Sequence, residues 1–212
     1  MHKTTSTLSR YAFIVFGTLA ISVVSVVWNI GNQGASGLNY SAGTYGTCTY
    51  GSCSISLATS GAVTADITPV GGATRCTVSS HTVTATTDSS TGYTVTLTDT
   101  DTSSVLTGAS SITASAGTPA APTILGANTW GYRIDGIAGF GAGPTTALTN
   151  VIIPSLAFAG VPLSSGTPSL VRTTSSADTS AVDTPVWYGV CVNSSLQSGS
   201  YTDSITYTAL IN

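Results

Sequence analysis

The sequence predicts an all-β protein built as an antiparallel β-sandwich. Apolar residues make up 42% of its 212 residues, which is enough for a core. Helix formers are scarce, whereas Thr, Val, Ile and Tyr recur between clusters of Gly, Ser and Pro. Short runs with a period of two follow one another without an amphipathic helix between them. This pattern, with one composition regime, predicts a single sandwich domain over residues 48–212.

The chain opens with a positive flank followed by an apolar run. Lys3 and Arg10 precede residues 11–28, which carry no charge. This arrangement is typical of an export signal or of a retained membrane anchor. It predicts a hydrophobic helix within residues 1–28, with the rest of the chain extracytoplasmic, either secreted after cleavage or anchored in the membrane through residues 11–28. Residues 29–47 are Gly-rich and indicate a flexible spacer.

The charges argue against nucleic acid as a partner. Only 6% of the residues are charged, and Glu is absent. After residue 30 the basic side chains are Arg75, Arg133 and Arg172, against eight Asp. No basic patch is therefore available to neutralise phosphates.

Four cysteines lie beyond the apolar run, and in an exported chain an even number favours disulfides. Cys48 and Cys53 flank a short Gly-containing turn in CTYGSC, which indicates a local bridge. Cys76 and Cys191 lie in strand-like runs and are the remaining pair. Four cysteines allow three connectivities. Because the local turn favours Cys48–Cys53, we expect that bridge together with Cys76–Cys191. Zinc is disfavoured because there is no CxxC pair or His cluster.

Two local patterns predict details of strand pairing. In CTVSSHTVTATT the apolar parity changes between Val78 and Val83, which predicts a bulge at Ser79–Ser80. The turn DSSTG then leads into YTVTLT, which predicts a hairpin. Residues 136–150 are the longest Gly-rich stretch of the domain and indicate a surface loop.

The chain ends in SGSYTDSITYTALIN, where apolar residues alternate with Ser and Thr from Tyr201 to Ile211. This strand is expected to complete the sheet within its own chain. The alternative is assembly by strand exchange, in which a neighbour's extension fills a gap in the sheet. Residues 29–47 lack the sustained apolar alternation that such an extension requires.

No catalytic or cofactor site is predicted. His81 is the only His beyond the apolar run, and a strand His bonded to a neighbour is favoured over a catalytic one. No GxSxG motif accompanies it. Asp99 and Asp101 in TDTDTSS are candidate calcium ligands, but no EF-hand continuation follows, and Asp also favours turns.

Four aromatic residues are candidates for a binding surface. Trp130, Tyr132 and Trp187 lie in strand-like runs, and Phe140 lies in the loop 136–150. Aromatic rings can stack on sugars, but aromatics in strands more often fill a core. The core interpretation is therefore favoured for the three strand residues.

Three motifs in order, TGYTVTLTD, NTWGYRID and SGSYTDSITYTA, carry a resemblance. The chain resembles exported β-sandwich surface proteins of candidate-phyla-radiation (Saccharibacteria-like) bacteria, which show GYxLxL, NTWGY and GxYxDxITYTA patterns. The resemblance covers residues 53–212 and implies a cell-surface location and an immunoglobulin-like or pilin-like sandwich. A weaker similarity links the ending to spore-coat-U and fimbrial-type domains.

We therefore expect a non-enzymatic exported cell-surface protein, either an adhesin or an envelope structural subunit. The alternative is a surface module that binds a glycan or a protein through the loop 136–150. A strand-exchanging filament subunit is a further possibility, and an enzyme ranks after the binding module. The expected partners are a glycan or protein of the envelope or of a host cell, or further copies of the chain.

Overall fold

The computed structural model describes the backbone of residues 17–27 and the whole of residues 53–212. All of the described elements are strands, so the all-β prediction is confirmed for this part of the chain. Residues 17–27 and 53–212 contain no helix of the length and hydropathy that a membrane crossing needs. The strands are β1 (Gly17–Val27), β2 (Ile55–Thr59), β3 (Val63–Ile67), β4 (Arg75–Thr87), β5 (Tyr93–Asp99), β6 (Leu106–Gly108), β7 (Ser111–Ala114), β8 (Thr123–Ile124), β9 (Thr129–Arg133), β10 (Leu148–Val151), β11 (Ala157–Phe158), β12 (Ser169–Thr173), β13 (Asp178–Val192) and β14 (Tyr201–Ile211).

Hydrogen bonds join most of these strands into one largely antiparallel sheet that folds into two layers. The first layer has the order β12-β5-β14-β1-β3. The second has the order β4-β13-β9, with β2 and β10 on the free edge of β4. The β6–β7 hairpin links the layers, because β6 pairs with β14 and β7 pairs with β9.

The main core lies between the two layers. Side chains alternate along each strand, so one face of β14 contributes Ile205, Tyr207 and Ala209, all fully buried. Val83 and Ala85 of β4 face them from the second layer and belong to the same cluster. The other face of β14 carries Ser and Thr, as its alternating sequence predicts, and ends in the exposed Leu210.

A second, smaller core covers the outer face of the second layer, and it corrects the predicted bulge. β4 and β13 stay in register from the His81–Val186 pair to the Cys76–Cys191 pair, without a bulge at Ser79–Ser80. The apolar parity changes because the two halves of β4 are buried on opposite faces. The N-terminal half, with Cys76 and Val78, faces the outer cluster, and the C-terminal half, with Val83 and Ala85, faces the main core. This outer cluster consists of Cys76, Val78, Leu125, Phe158, Trp187 and Cys191.

The predicted hairpin between β4 and β5 is also wrong. β4 pairs with β2, β10 and β13, whereas β5 pairs with β12 and β14. The loop 88–92 therefore carries the chain from one layer to the other. Both strands turn apolar side chains toward the main core, and Tyr93 Oη donates across it to the carbonyl of Ala85 (3.4 Å).

Within the N-terminal apolar run, for which a hydrophobic helix is predicted, the structure describes residues 17–27 only. Residues 17–27 form β1, which is parallel to β14 and antiparallel to β3. This segment is rich in Val, with Ile and Thr, and β-branched residues suit a pleated sheet. Residues 1–16 and 28–52 lie outside the described residues, and so do the rest of the predicted export segment and the spacer 29–47.

The terminal strand pairs within its own chain, as predicted. Residues from Ile205 to Ile211 pair with β5, and Tyr201 and Thr202 pair with β6. The chain end is fixed as well, since the Asn212 side chain donates to the carbonyl of Thr174 (2.7 Å).

Candidate functional site

The predicted Cys76–Cys191 disulfide is confirmed. The two residues stand directly opposite each other on β4 and β13, with a Cα–Cα distance of 4.1 Å, and both are fully buried. The Phe158 ring lies against Gly189 nearby, where a Cβ atom would meet the ring at 2.6 Å. Cys53 is also disulfide-bonded. Cys48, the other half of the predicted local bridge, lies outside the described residues.

Arg133 at the end of β9 is buried, with 1% of its surface exposed. Its Nε donates to Asp135 Oδ1 (3.2 Å), and Nη1 donates to the carbonyl of Ala157 (3.2 Å). Nη2 donates to the carbonyls of Phe140 (2.9 Å) and Ala142 (3.0 Å). A buried guanidinium has to be satisfied by acceptors, and here most of them are backbone carbonyls.

These bonds fix the start of the Gly-rich loop 136–150. The Phe140 ring is buried against Tyr132, with ring centroids 5.6 Å apart. The loop returns as β10, which pairs with β4. The predicted surface loop is therefore anchored at both ends by the body of the domain.

The structure buries all four aromatic residues that were candidates for a binding surface. Trp130 and Tyr132 are fully buried, and Phe140 and Trp187 are 5% and 6% exposed. Trp130 Nε1 donates to the carbonyl of Ser104 (2.9 Å). Trp187 lies apart from the other three, in the outer cluster. The rings fill cores because strand alternation turns them inward, and they do not form an exposed stacking platform.

His81 belongs to a hydrogen-bonded chain in the main core. Its Nδ1 lies 3.1 Å from the Gly61 carbonyl, which can only accept, so Nδ1 carries the proton. Nε2 then accepts from Tyr207 Oη (2.6 Å), and Tyr207 Oη accepts from Tyr188 Oη (2.8 Å). Burial lowers the pKa of His81, partly opposed by the bond to Gly61, and keeps the ring neutral at pH 7. The arrangement is suited to fixing the two layers together.

Asp99 and Asp203 form a pair of carboxyl groups on adjacent strands. Asp99 of β5 is 1% exposed, and it pairs with Ile205, two residues along β14 from Asp203. Asp99 Oδ1 accepts from the N–H of Asp101 (3.0 Å), and Asp203 Oδ1 accepts from the N–H of Ser204 (2.7 Å). The Oδ2 atoms of both are buried without a donor among the described residues.

Burial raises the pKa of both groups, and Asp99 also raises the pKa of Asp203, to about 7. A protonated Asp203 carboxyl can donate to the Asp99 carboxylate, which satisfies both carboxyl groups with one proton.

This acid pair predicts that the wild type loses stability relative to Asp203→Asn between pH 5 and pH 8, while the lowered pKa of the buried His81 gives both proteins a contribution of opposite sign. The pKa of Asp203 is higher in the folded state than in the unfolded state, so the stabilisation is lost as pH rises toward and through 7. We expect a loss of about 2 kcal/mol, allowing for partial exposure. Denaturant unfolding of the wild type and of Asp203→Asn at both pH values measures it.

Asp203→Asn should remove the contribution of Asp203 and keep that of His81, because the amide donates to Asp99 at every pH. Asp183→Asn removes an exposed carboxyl of β13 and is the matched control, which should keep the wild-type slope. An equal change in stability from pH 5 to pH 8 in the wild type and in Asp203→Asn would contradict the acid pair.

The calcium candidates Asp99 and Asp101 have structural partners in the turn. Asp99 Oδ1 accepts from the N–H of Asp101, and Asp101 Oδ1 accepts from the N–H of Ser103 (2.6 Å). Within the described residues, no group of three or more His, Cys, Asp or Glu side chains is placed to hold a metal ion.

The residues that sequence analysis missed are Arg133, Tyr207 and Asp203. The sequence around Arg133 could have indicated its role. An arginine between aromatic strand residues and a Gly-rich run needs several hydrogen-bond acceptors if it is buried. For Tyr207 and Asp203 the sequence predicts a position in the terminal strand but no hydrogen-bond partner. Their partners lie on other strands, so local sequence does not indicate them.

Comparison of the chain with protein-family models finds no matching family, and comparison with curated proteins finds no match either.

Proposed function

We propose that this chain is a non-enzymatic structural subunit of the cell envelope, displayed outside the membrane. The buried Cys76–Cys191 disulfide carries the proposal, because such bonds persist in oxidising compartments and are rare in the cytosol. The immunoglobulin-like or pilin-like class of sandwich, which the resemblance implies, belongs to the same proposal.

Two further observations favour a structural subunit over a glycan-binding module. The rings of Trp130, Tyr132, Phe140 and Trp187 are buried, so they are not available to stack on a sugar. Aliphatic side chains are exposed instead, with Val70 at 55% and Ile152 at 71%. The segments that carry them meet where Thr68 N donates to Asn150 Oδ1 (3.1 Å). Exposed aliphatic groups of this kind suit contacts with another protein surface.

Protease treatment of intact cells tests the location. We expect externally added protease to remove the full-length chain while a cytoplasmic marker stays intact, because the domain lies outside the membrane. Lysed cells are the control for cleavage of both proteins. Protection of the chain in intact cells, with cleavage after lysis, would contradict the proposal.

A further inference from the structure

The first layer contains a strand that is distant in sequence from both of its neighbours. β1 pairs in parallel with β14, from Leu19 opposite Tyr201 to Val27 opposite Ala209. On its other side it pairs with β3 in antiparallel fashion, from Gly17 opposite Ile67 to Ile21 opposite Val63. Residues 17–27, which belong to the predicted export segment, therefore lie between two other strands of the sheet.

The register of β1 places the same set of its residues beside buried residues of both neighbouring strands. Its odd-numbered positions stand level with buried residues of the neighbouring strands. These partners are Val63, Ala65 and Ile67 of β3 and Tyr201, Ile205, Tyr207 and Ala209 of β14. In the sequence of β1 most odd positions are large and apolar, namely Leu19, Ile21, Val23 and Val27. Thr18, Ala20 and Ser22 stand at even positions, so residues 18–23 alternate, whereas Val24 and Val26 at even positions and Ser25 at an odd one break the pattern. A half-buried strand needs the alternation of residues 18–23, whereas a membrane helix does not.

Both neighbours depend on this strand for their backbone pairing. β3 pairs with β1 alone among the described strands. β14 pairs with β5 and β6 along one edge and with β1 along the other. Without β1, nine residues of β14 would present an open edge, and β3 would lose its place in the layer.

The chain path suits an occupant from the same molecule. β1 ends at Val27, opposite Ala209, which pairs with Val95 near the start of β5. β2 begins at Ile55, opposite Thr87 at the end of β4. The loop 88–92 joins these ends of β4 and β5, so the chain leaves β1 and enters β2 at the same end of the sandwich.

We propose that the space between β14 and β3 is a binding site for an apolar, uncharged strand, and that its occupant is residues 17–27 of the same chain. The segment is then retained in the mature protein as a strand of the sheet. A membrane helix and a sheet strand are exclusive states of one segment, so a molecule in this state is not anchored through residues 11–28. This inference does not depend on the proposed envelope role.

Cysteine cross-linking in the full exported chain tests the site. Val24→Cys with Thr206→Cys places thiols on register partners of β1 and β14. Val24→Cys with Thr173→Cys is the matched control, because β12 lies on the far side of β5 from β14. Mild oxidation should join the first pair within one chain. The product should run as a monomer on a non-reducing gel and yield a linked peptide by mass spectrometry, while the control pair stays unlinked.

Three results would overturn the inference. Cross-linking of the first pair into dimers or a ladder would assign the site to a second copy of the chain. Equal linkage in both pairs, or none in either, would show that residues 17–27 do not hold this register. The intact mass of the wild-type exported protein is an independent measurement, and a mature chain that begins after Val27 would also overturn it.

Discussion

Replacing Cys76 and Cys191 together by Ala is expected to lower the free energy of unfolding by about 4–5 kcal/mol. The bridge joins residues 115 apart in sequence, so it closes a long loop and strongly restricts the unfolded chain. The disulfide also lies in the outer core cluster, where its loss removes buried contacts. Denaturant unfolding of the oxidised wild type and of the double variant measures the difference.

The matched control replaces Cys48 and Cys53 by Ala. The bridge expected there closes a loop of a few residues, so its loss should cost about 2 kcal/mol on the same chain-entropy argument. A loss at Cys76 and Cys191 that is no larger than the loss at Cys48 and Cys53 would show that the cross-strand bridge does not hold the second layer together.

The second large effect is expected at Arg133. Replacement by Met keeps much of the length of the side chain but removes every donor to Asp135, Ala157, Phe140 and Ala142. Buried carbonyls then lose their partner, and we expect a loss of about 3 kcal/mol in the free energy of unfolding. Limited proteolysis should also cut within residues 136–150 before any other site, because the loop has lost its anchor.

Arg172→Met is the control for Arg133→Met. Arg172 is 30% exposed at the side chain and forms an ion pair with Asp178 (3.3 Å), so its loss should cost less than about 1 kcal/mol. Similar losses for the two variants, or an unchanged cleavage pattern in Arg133→Met, would contradict the anchoring role.

Strand positions could be predicted from the sequence because alternation is a local property. β5 and β14 are predicted directly by YTVTLT and SYTDSITYTA, where every second residue is buried apart from the half-buried Asp203. Alternation does not indicate the layer to which each strand belongs. β4 and β5 follow each other in a hairpin-like pattern but belong to different layers, since a five-residue loop serves either connection.

The faces of one long strand were equally hard to assign. β4 buries Val83 in the main core and Val78 in the outer cluster, so a change of parity marks a second core and not a bulge. The N-terminal run shows the same limit, because an uncharged Val-rich segment satisfies the requirements of a membrane helix and of an interior strand.

The candidate site was predicted only where both partners were recognisable by residue type. Cysteines are few, so Cys76 and Cys191 could be paired from the sequence. The bonds of Arg133 go mostly to backbone carbonyls, which no residue type reveals. The acid pair of Asp99 and Asp203 depends on strand register, which the sequence alone does not fix.

Electron microscopy of native cell surfaces, with a labelled antibody against residues 53–212, tests the central claim most directly. A structural subunit of the envelope should give dense label in a continuous coat or along filaments outside the membrane. Sparse, scattered label at the surface would contradict the structural role, and label inside the cytoplasm would contradict the exported location as well.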